Sequence, residues 1–149
     1  MAVFQIDRTI DISASPEVVW KVLTDFPKYA EWNPFVVAAR CNLRPGAAID
    51  MQVKLKDKPQ RQVEEIVSVE PGRGFSYRMH PLPLGALKSY RSHAIEPGAP
   101  GRCRYTSHFE IEGWLVPVVL ALFKPGLERG FAGMTEAIGA RAEQLGKGA

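Results

Sequence analysis

The sequence predicts one α+β domain, spanning residues 1–149, in which an antiparallel sheet wraps around a long C-terminal helix. Three observations carry this. Between Phe35 and Phe109 no helical period survives, and apolar residues alternate with polar ones in short runs. Those runs are cut by turn signals at Arg44-Pro45-Gly46, Asp57-Lys58-Pro59, Pro71-Gly72-Arg73-Gly74 and Pro97-Gly98-Ala99-Pro100-Gly101. From Val116 the period changes, and large apolar residues recur three, four or seven apart.

The first element is a strand, because Phe4, Ile6, Ile10 and Ile12 alternate with Gln5, Asp7, Thr9 and Asp11. Ser15-Pro16-Glu17 then starts a short helix running to about Thr24: Ser15 caps, Pro16 suits the first helical position, and Glu17 faces the positive dipole end. Val19, Trp20 and Leu23 share its apolar face. Asp25-Phe26-Pro27 interrupts it, and Lys28 to Trp32 forms a second short helix closed by Asn33-Pro34. Strands follow at about 35–43, 47–55, 61–69, 74–80, 87–96 and 102–112, a meander of six with the N-terminal strand as a seventh. Val116, Leu120, Phe123, Leu127, Phe131, Met134, Ile138 and Leu145 mark the apolar face of the final helix. Pro117 fits its first turn, and Pro125 is expected to bend or divide it.

At 149 residues the chain buries enough apolar surface for a core without disulfide or metal staples. Its 46% hydrophobic and 23% charged residues are those of a globular protein rather than a disordered one. Met1-Ala2-Val3-Phe4-Gln5-Ile6-Asp7-Arg8 lacks the basic start and apolar run of an export signal. The longest apolar stretch, Trp114 to Phe123, is roughly half of a bilayer span. A cytoplasmic chain without integral membrane association is expected. Cys41 and Cys103 stand apart, with no Cys-x-x-Cys and no His at ligand spacing, so they read as buried free thiols and no metal site is expected. The net charge of +3 is scattered, apart from Lys54, Lys56, Lys58 and Arg61 at a solvated hairpin end, and gives no sign of a nucleic-acid surface.

The run Ser13-Ala14-Ser15-Pro16-Glu17-Val18-Val19-Trp20-Lys21-Val22-Leu23-Thr24-Asp25-Phe26-Pro27-Lys28-Tyr29-Ala30-Glu31-Trp32-Asn33-Pro34-Phe35 resembles the START/Bet v 1-like superfamily, also labelled SRPBCC or polyketide cyclase/dehydrase. The resemblance covers the whole chain in element order. It implies the helix-grip fold, a curved seven-stranded sheet gripping the C-terminal helix with two short helices closing one end. The motif residues look like fold determinants. Function is left open by the resemblance, because this scaffold serves lipid carriers, receptors, aromatase/cyclases and chaperone activators.

Strand parity selects candidate site residues, since alternate residues face opposite sides of a sheet. Ile49, Met51, Val53 and Leu55 define one inner row, Phe75, Tyr77 and Met79 a second, and Tyr105, Phe109 and Ile111 a third. Between Lys88 and Glu96, with Leu87 and Ile95 inward, the inner row also holds Ser89, Arg91 and His93. By the same count Glu65 shares a face with Val63, Val67 and Val69, and Ser107 joins Tyr105 and Phe109. An apolar wall with a few placed polar groups is the composition of a small-molecule site. Burying an unpaired charge costs several kcal/mol. Arg91 and Glu65 therefore either serve a ligand, form a buried pair for packing, or are sent to solvent by a β-bulge.

On the C-terminal helix Gly126, Gly130, Gly133, Ala137 and Ala140 form a stripe, and Gly130 and Met134 complete the candidate set. Interior glycines cost about 0.5–1 kcal/mol each relative to Ala. The offset is either space for a ligand or close approach of the sheet backbone. His80-Pro81-Leu82-Pro83-Leu84-Gly85-Ala86 is too apolar for an ordinary turn and reads as a lid or as a fixed rim. Trp114 and Trp32 are candidates for flanking an opening.

No Gly-x-Ser-x-Gly elbow, phosphate loop, dinucleotide fingerprint or His-Glu-x-x-His occurs, and no cofactor is expected. The expected function is binding of a small hydrophobic or amphipathic ligand in a cavity between sheet and helix. Two alternatives stand beside it. The first is a cofactor-independent cyclase, with His93 or Glu65 as base and Arg91 and Tyr105 stabilising an enolate or phenolate oxygen. The second is a chaperone-activator-like interaction module, which predicts a filled interior and a large exposed apolar patch.

Overall fold

The computed structural model describes residues 3–147. Strand β1 (Val3–Ile12) is followed by helix α1 (Pro16–Thr24), a 3₁₀ turn over Phe26–Lys28 and the single turn α2 (Tyr29–Trp32). A meander of β2 (Val36–Cys41), β3 (Ala48–Val53), β4 (Gln60–Glu70), β5 (Gly74–Arg78), β6 (Lys88–Pro97) and β7 (Cys103–Glu112) leads to helix α3 (Val116–Lys147). All pairings are antiparallel, in the order β1-β7-β6-β5-β4-β3-β2. This is the helix-grip arrangement, with α3 against the concave face of the sheet.

Local chemistry explains the entry to the sheet. Ser15 Oγ accepts the Val18 N–H at 3.3 Å, capping α1 behind Pro16. Asn33 Oδ1 accepts the N–H groups of Phe35 and Val36 at 3.0 and 2.9 Å, which turns the chain from α2 into β2. The Tyr29 hydroxyl donates to the Leu23 carbonyl at 2.5 Å and ties the two short helices together. The Ser-Pro-Glu and Trp-Asn-Pro motifs are thus structural.

Pro125 does not divide α3, which runs unbroken from Val116 to Lys147. Both Pro125 and Ala121, whose carbonyl the proline leaves unpaired, face solvent. Water can therefore take the place of the missing donor.

The core is built from Ile12, Leu23, Ile49, Met51, Ile66, Tyr105, Met134 and Ile138, all fully buried. The C-terminal half of α3 packs against this core through Phe131, Met134, Ile138 and Ala142. Along its N-terminal half Val119, Phe123 and Leu127 face a cavity instead.

Candidate functional site

A cavity of about 430 Å³ lies between the N-terminal half of α3 and strands β2 to β7. Its apolar wall comes from Phe35, Met51, Val53, Leu55, Phe109 and Ile111 on the sheet side, faced by Val119, Phe123, Leu127 and Phe131 of α3. Polar side chains enter at a few places: Gln60, Gln62 and Glu64 of β4, Tyr77 of β5, His80 beyond it, and Ser89 and Arg91 of β6. Alternation places these groups. On β6, Ser89 and Arg91 point inward while Lys88 and Glu96 are exposed.

Arg91 is the central group, only 3% exposed. Its Nη1 donates to Ser107 Oγ at 2.5 Å and to the carbonyls of Ser92 and His108 at 3.2 and 3.4 Å. Its Nη2 faces the Met134 sulfur at 3.7 Å, and its carbon centre stacks 4.7 Å above the Phe131 ring. Beneath it, His93 Nδ1 and the Tyr105 hydroxyl share a hydrogen bond of 2.6 Å. Burial, reinforced by the neighbouring Arg91 charge, holds the His93 imidazole well below its usual range. His93 is therefore neutral. Burial raises the Tyr77 and Tyr105 hydroxyls, Tyr77 to about 12, against the opposing pull of Arg91. Ser89 Oγ accepts the Met79 N–H at 3.0 Å, which leaves its own proton free to donate.

Of the residues selected by parity, Tyr77, Met79, Ser89 and Arg91 line the cavity. His93, Tyr105, Ser107 and Met134 are buried and do not line it; Ser107, Met134 and Tyr105 touch Arg91, and His93 bonds to Tyr105. Gly130 does not supply space: a Cβ there would overlap the Phe35 ring, and one at Gly126 would overlap the Leu55 carbonyl. At Gly126 and Gly130 the stripe therefore serves close approach to Leu55 and Phe35. Trp32 packs on Tyr29, with ring centroids 5.1 Å apart, and Trp114 donates its indole N–H to the Leu84 carbonyl at 3.0 Å. Neither lines the cavity.

Glu65 requires correction. It lies on the outer face of the sheet and pairs with Arg78 at 3.2 Å, both side chains in contact with solvent. The inward carboxylate is its neighbour, Glu64. A bulge between Ile66 and Ser68 shifts the register of β4 against β5. Parity carried back from Val69 across that extra residue lands on the wrong face. Val63 and Val67 also sit on the outer face, at 40% and 41% exposure, so valine does not mark the inner row here. Burial pushes the Glu64 carboxyl up to about 7 even though the Arg91 charge pulls it down. The alternation of Gln62, Glu64 and Ile66 was present in the sequence, but the polar character of Gln62 and Glu64 hid it behind the valines.

The basic residues Lys54, Lys56, Lys58 and Arg61 are exposed around the β3–β4 hairpin, with Lys56 Nζ 5.2 Å from the Phe123 ring centre at the cavity mouth. The loop after His80 is anchored to the start of α3: besides the Trp114 bond, the Leu115 N–H donates to the Ala86 carbonyl at 2.9 Å. Leu84 within it is 92% exposed and has φ of 61°. Among the described residues no helix is long and apolar enough to cross a membrane.

Solved structures share this architecture. The Zhui aromatase/cyclase of Streptomyces sp. R1128 superposes with a TM-score of 0.79 at 14% identity, over 96% of this chain and 95% of its own. A START superfamily protein of Mycobacterium smegmatis gives 0.74 at 17% identity, over 95% and 98%. A point mutant of norcoclaurine synthase from Thalictrum flavum, in complex with a transition-state analogue, gives 0.70 at 17% identity, over 97% and 96%. At such identities the likeness is one of fold. No curated protein matches the chain. The family model described as polyketide cyclase/dehydrase and lipid transport matches residues 3–143, and the chain belongs to that family.

Proposed function

We propose that this protein binds a small, largely apolar organic molecule, of lipid, polyketide or aromatic type, in the cavity between α3 and the sheet. The observation that carries this reading is the cavity itself: about 430 Å³ of space with an apolar wall into which a few polar side chains project. That volume suits a molecule of roughly fifteen to twenty non-hydrogen atoms at interior packing density. Such a pocket discriminates by shape along its walls and by hydrogen bonding at Tyr77, Ser89 and Arg91. A space left open beside a close-packed helix costs stability, and its retention favours a ligand over an interaction module with a filled interior.

The test is a fluorescence titration with the neutral probe N-phenyl-1-naphthylamine, run beside a Val53→Trp variant that fills the cavity. Saturable binding at one site, lost in the variant, is expected. A wild-type protein that shows no saturable binding, or a variant that binds as well, overturns the reading. Native mass spectrometry of protein isolated from its source would then identify the retained molecule.

One observation favours a second reading, a cofactor-independent cyclase or related enzyme. Glu64, with its carboxyl near 7, lines the same cavity as Arg91 and Tyr77. A carboxylate of that strength can take a proton from a carbon acid or phenol while Arg91 stabilises the oxygen anion formed. Glu64 replaces the buried His93 and the outward Glu65 as candidate base. Turnover of a polyketide-like carbonyl compound by the wild type and its loss in Glu64→Gln would favour this reading over simple carriage.

A further inference from the structure

Arg91 is a buried cation whose partners in the protein are all uncharged. Among the described residues Nη1 donates to a hydroxyl and two carbonyls, Nη2 meets the thioether of Met134, and the hydroxyls of Tyr77 and Tyr105 stand beside the guanidinium as further neutral partners. Among the described residues its Nε has no hydrogen-bond acceptor and no carboxylate lies within ion-pair distance of the guanidinium. A guanidinium taken out of water needs an anion, or it costs several kcal/mol. The nearest candidate, Glu64, does not supply one at close range: its carboxyl is raised to about 7, whereas a carboxylate in tight contact with an arginine is held below its ordinary range. His93 is neutral, and the α3 side of the cavity, Val119, Phe123, Leu127 and Phe131, carries no charge.

The layer beneath Arg91 fixes where the cation points. Ser107 and the two carbonyls hold Nη1 and the Phe131 ring lies against the guanidinium face, leaving the edge with Nε and Nη2 without a charged partner. Arg91 itself forms part of the cavity wall. Two parallel N–H donors on one edge match the two oxygens of a carboxylate. Tyr77 and Ser89, lining the same cavity, add hydroxyl donors.

We infer that the ligand carries a carboxylate, which pairs with the Nε–Nη2 edge of the Arg91 guanidinium inside the cavity while the apolar remainder lies along α3. This rests on the binding reading above and narrows it to an amphipathic organic acid. The protein contributes the cation and the apolar wall, and the ligand contributes the missing anion.

The probes are dodecanoic acid and dodecan-1-ol, which share one chain and differ in the acid group, measured by calorimetry at neutral pH on the whole protein. A charge-assisted contact contributes about 1.5–3 kcal/mol, so the acid is expected to bind at least roughly tenfold more tightly than the alcohol. In Arg91→Met that preference is expected to vanish while the alcohol still binds. Equal affinity of the wild type for acid and alcohol overturns the inference and leaves the binding reading standing; failure of both probes and of the neutral fluorophore removes the binding reading itself. Should Arg91→Met not fold, the wild type decides by carbon NMR of carboxyl-labelled dodecanoic acid. A bound carboxyl that titrates well below its value in water supports the pairing. One that titrates as in water, or higher, refutes it.

Discussion

Gly126 and Gly133 stand on the same helix, yet replacing each by alanine is expected to act in opposite directions. Alanine in a helix interior gains about 1 kcal/mol over glycine. At Gly133 nothing opposes that gain, since the nearest atom to a new Cβ is Pro34 Cγ at 3.4 Å, an ordinary contact. Gly133→Ala should therefore stabilise the protein by about 0.5–1 kcal/mol. At Gly126 the new Cβ would overlap the backbone carbonyl of Leu55, which cannot move as the end of a side chain can. Overpacking costs about 1–3 kcal/mol, and a clash with fixed backbone falls in the upper part of that range, so that net of the helical gain Gly126→Ala is destabilised by about 1–2 kcal/mol. At this chain length 1 kcal/mol moves Tm by about 2–4 °C. Thermal unfolding followed by circular dichroism should show Gly133→Ala slightly above the wild type and Gly126→Ala several degrees below it. A Gly126→Ala protein as stable as the wild type would refute the close-approach account and return the glycine stripe to ligand space.

The neighbouring glutamates separate inner from outer face. Glu64 titrates near 7 in the folded protein against an ordinary value of 4.5, so its ionisation opposes folding increasingly as pH rises between those values. At about 1.4 kcal/mol per unit the wild type loses up to about 3 kcal/mol, and Glu64→Gln should match it at pH 4.5 and exceed it at pH 8 in urea unfolding. A gap that does not widen with pH would contradict the inward placement. Glu65→Gln breaks a solvent-exposed pair with Arg78; a stability change below about 0.5 kcal/mol and unchanged probe binding are expected, and a large loss of binding would restore Glu65 to the site. For the loop after His80, whose flanking His80 and Leu87 line the cavity, we propose that a ligand in the cavity raises hydrogen-exchange protection of residues 82–87. Equal protection with and without ligand would make it a fixed rim.

Much of the site was readable where strands are regular. Along β6, from Lys88 to Glu96, period-two alternation put Ser89, Arg91 and His93 on one face, and the structure keeps them there because its register with β7 runs without a break. Along β4 a single bulge breaks that alternation and leaves Glu64 inward and Glu65 outward. A bulge is an accommodation between two strands, and one strand's sequence does not encode it. The sequence by itself determined the order of elements, the caps and turns that bound them and the periodic faces of sheet and helix, all of which follow from interactions within a few residues. Tertiary structure alone decided the rest: that the glycines of α3 admit Leu55 and Phe35, that His93, Tyr105 and Ser107 support Arg91 from below, and that a cavity remains beside an unpaired buried cation. Those features depend on distances between segments far apart in the chain, which local pattern does not fix.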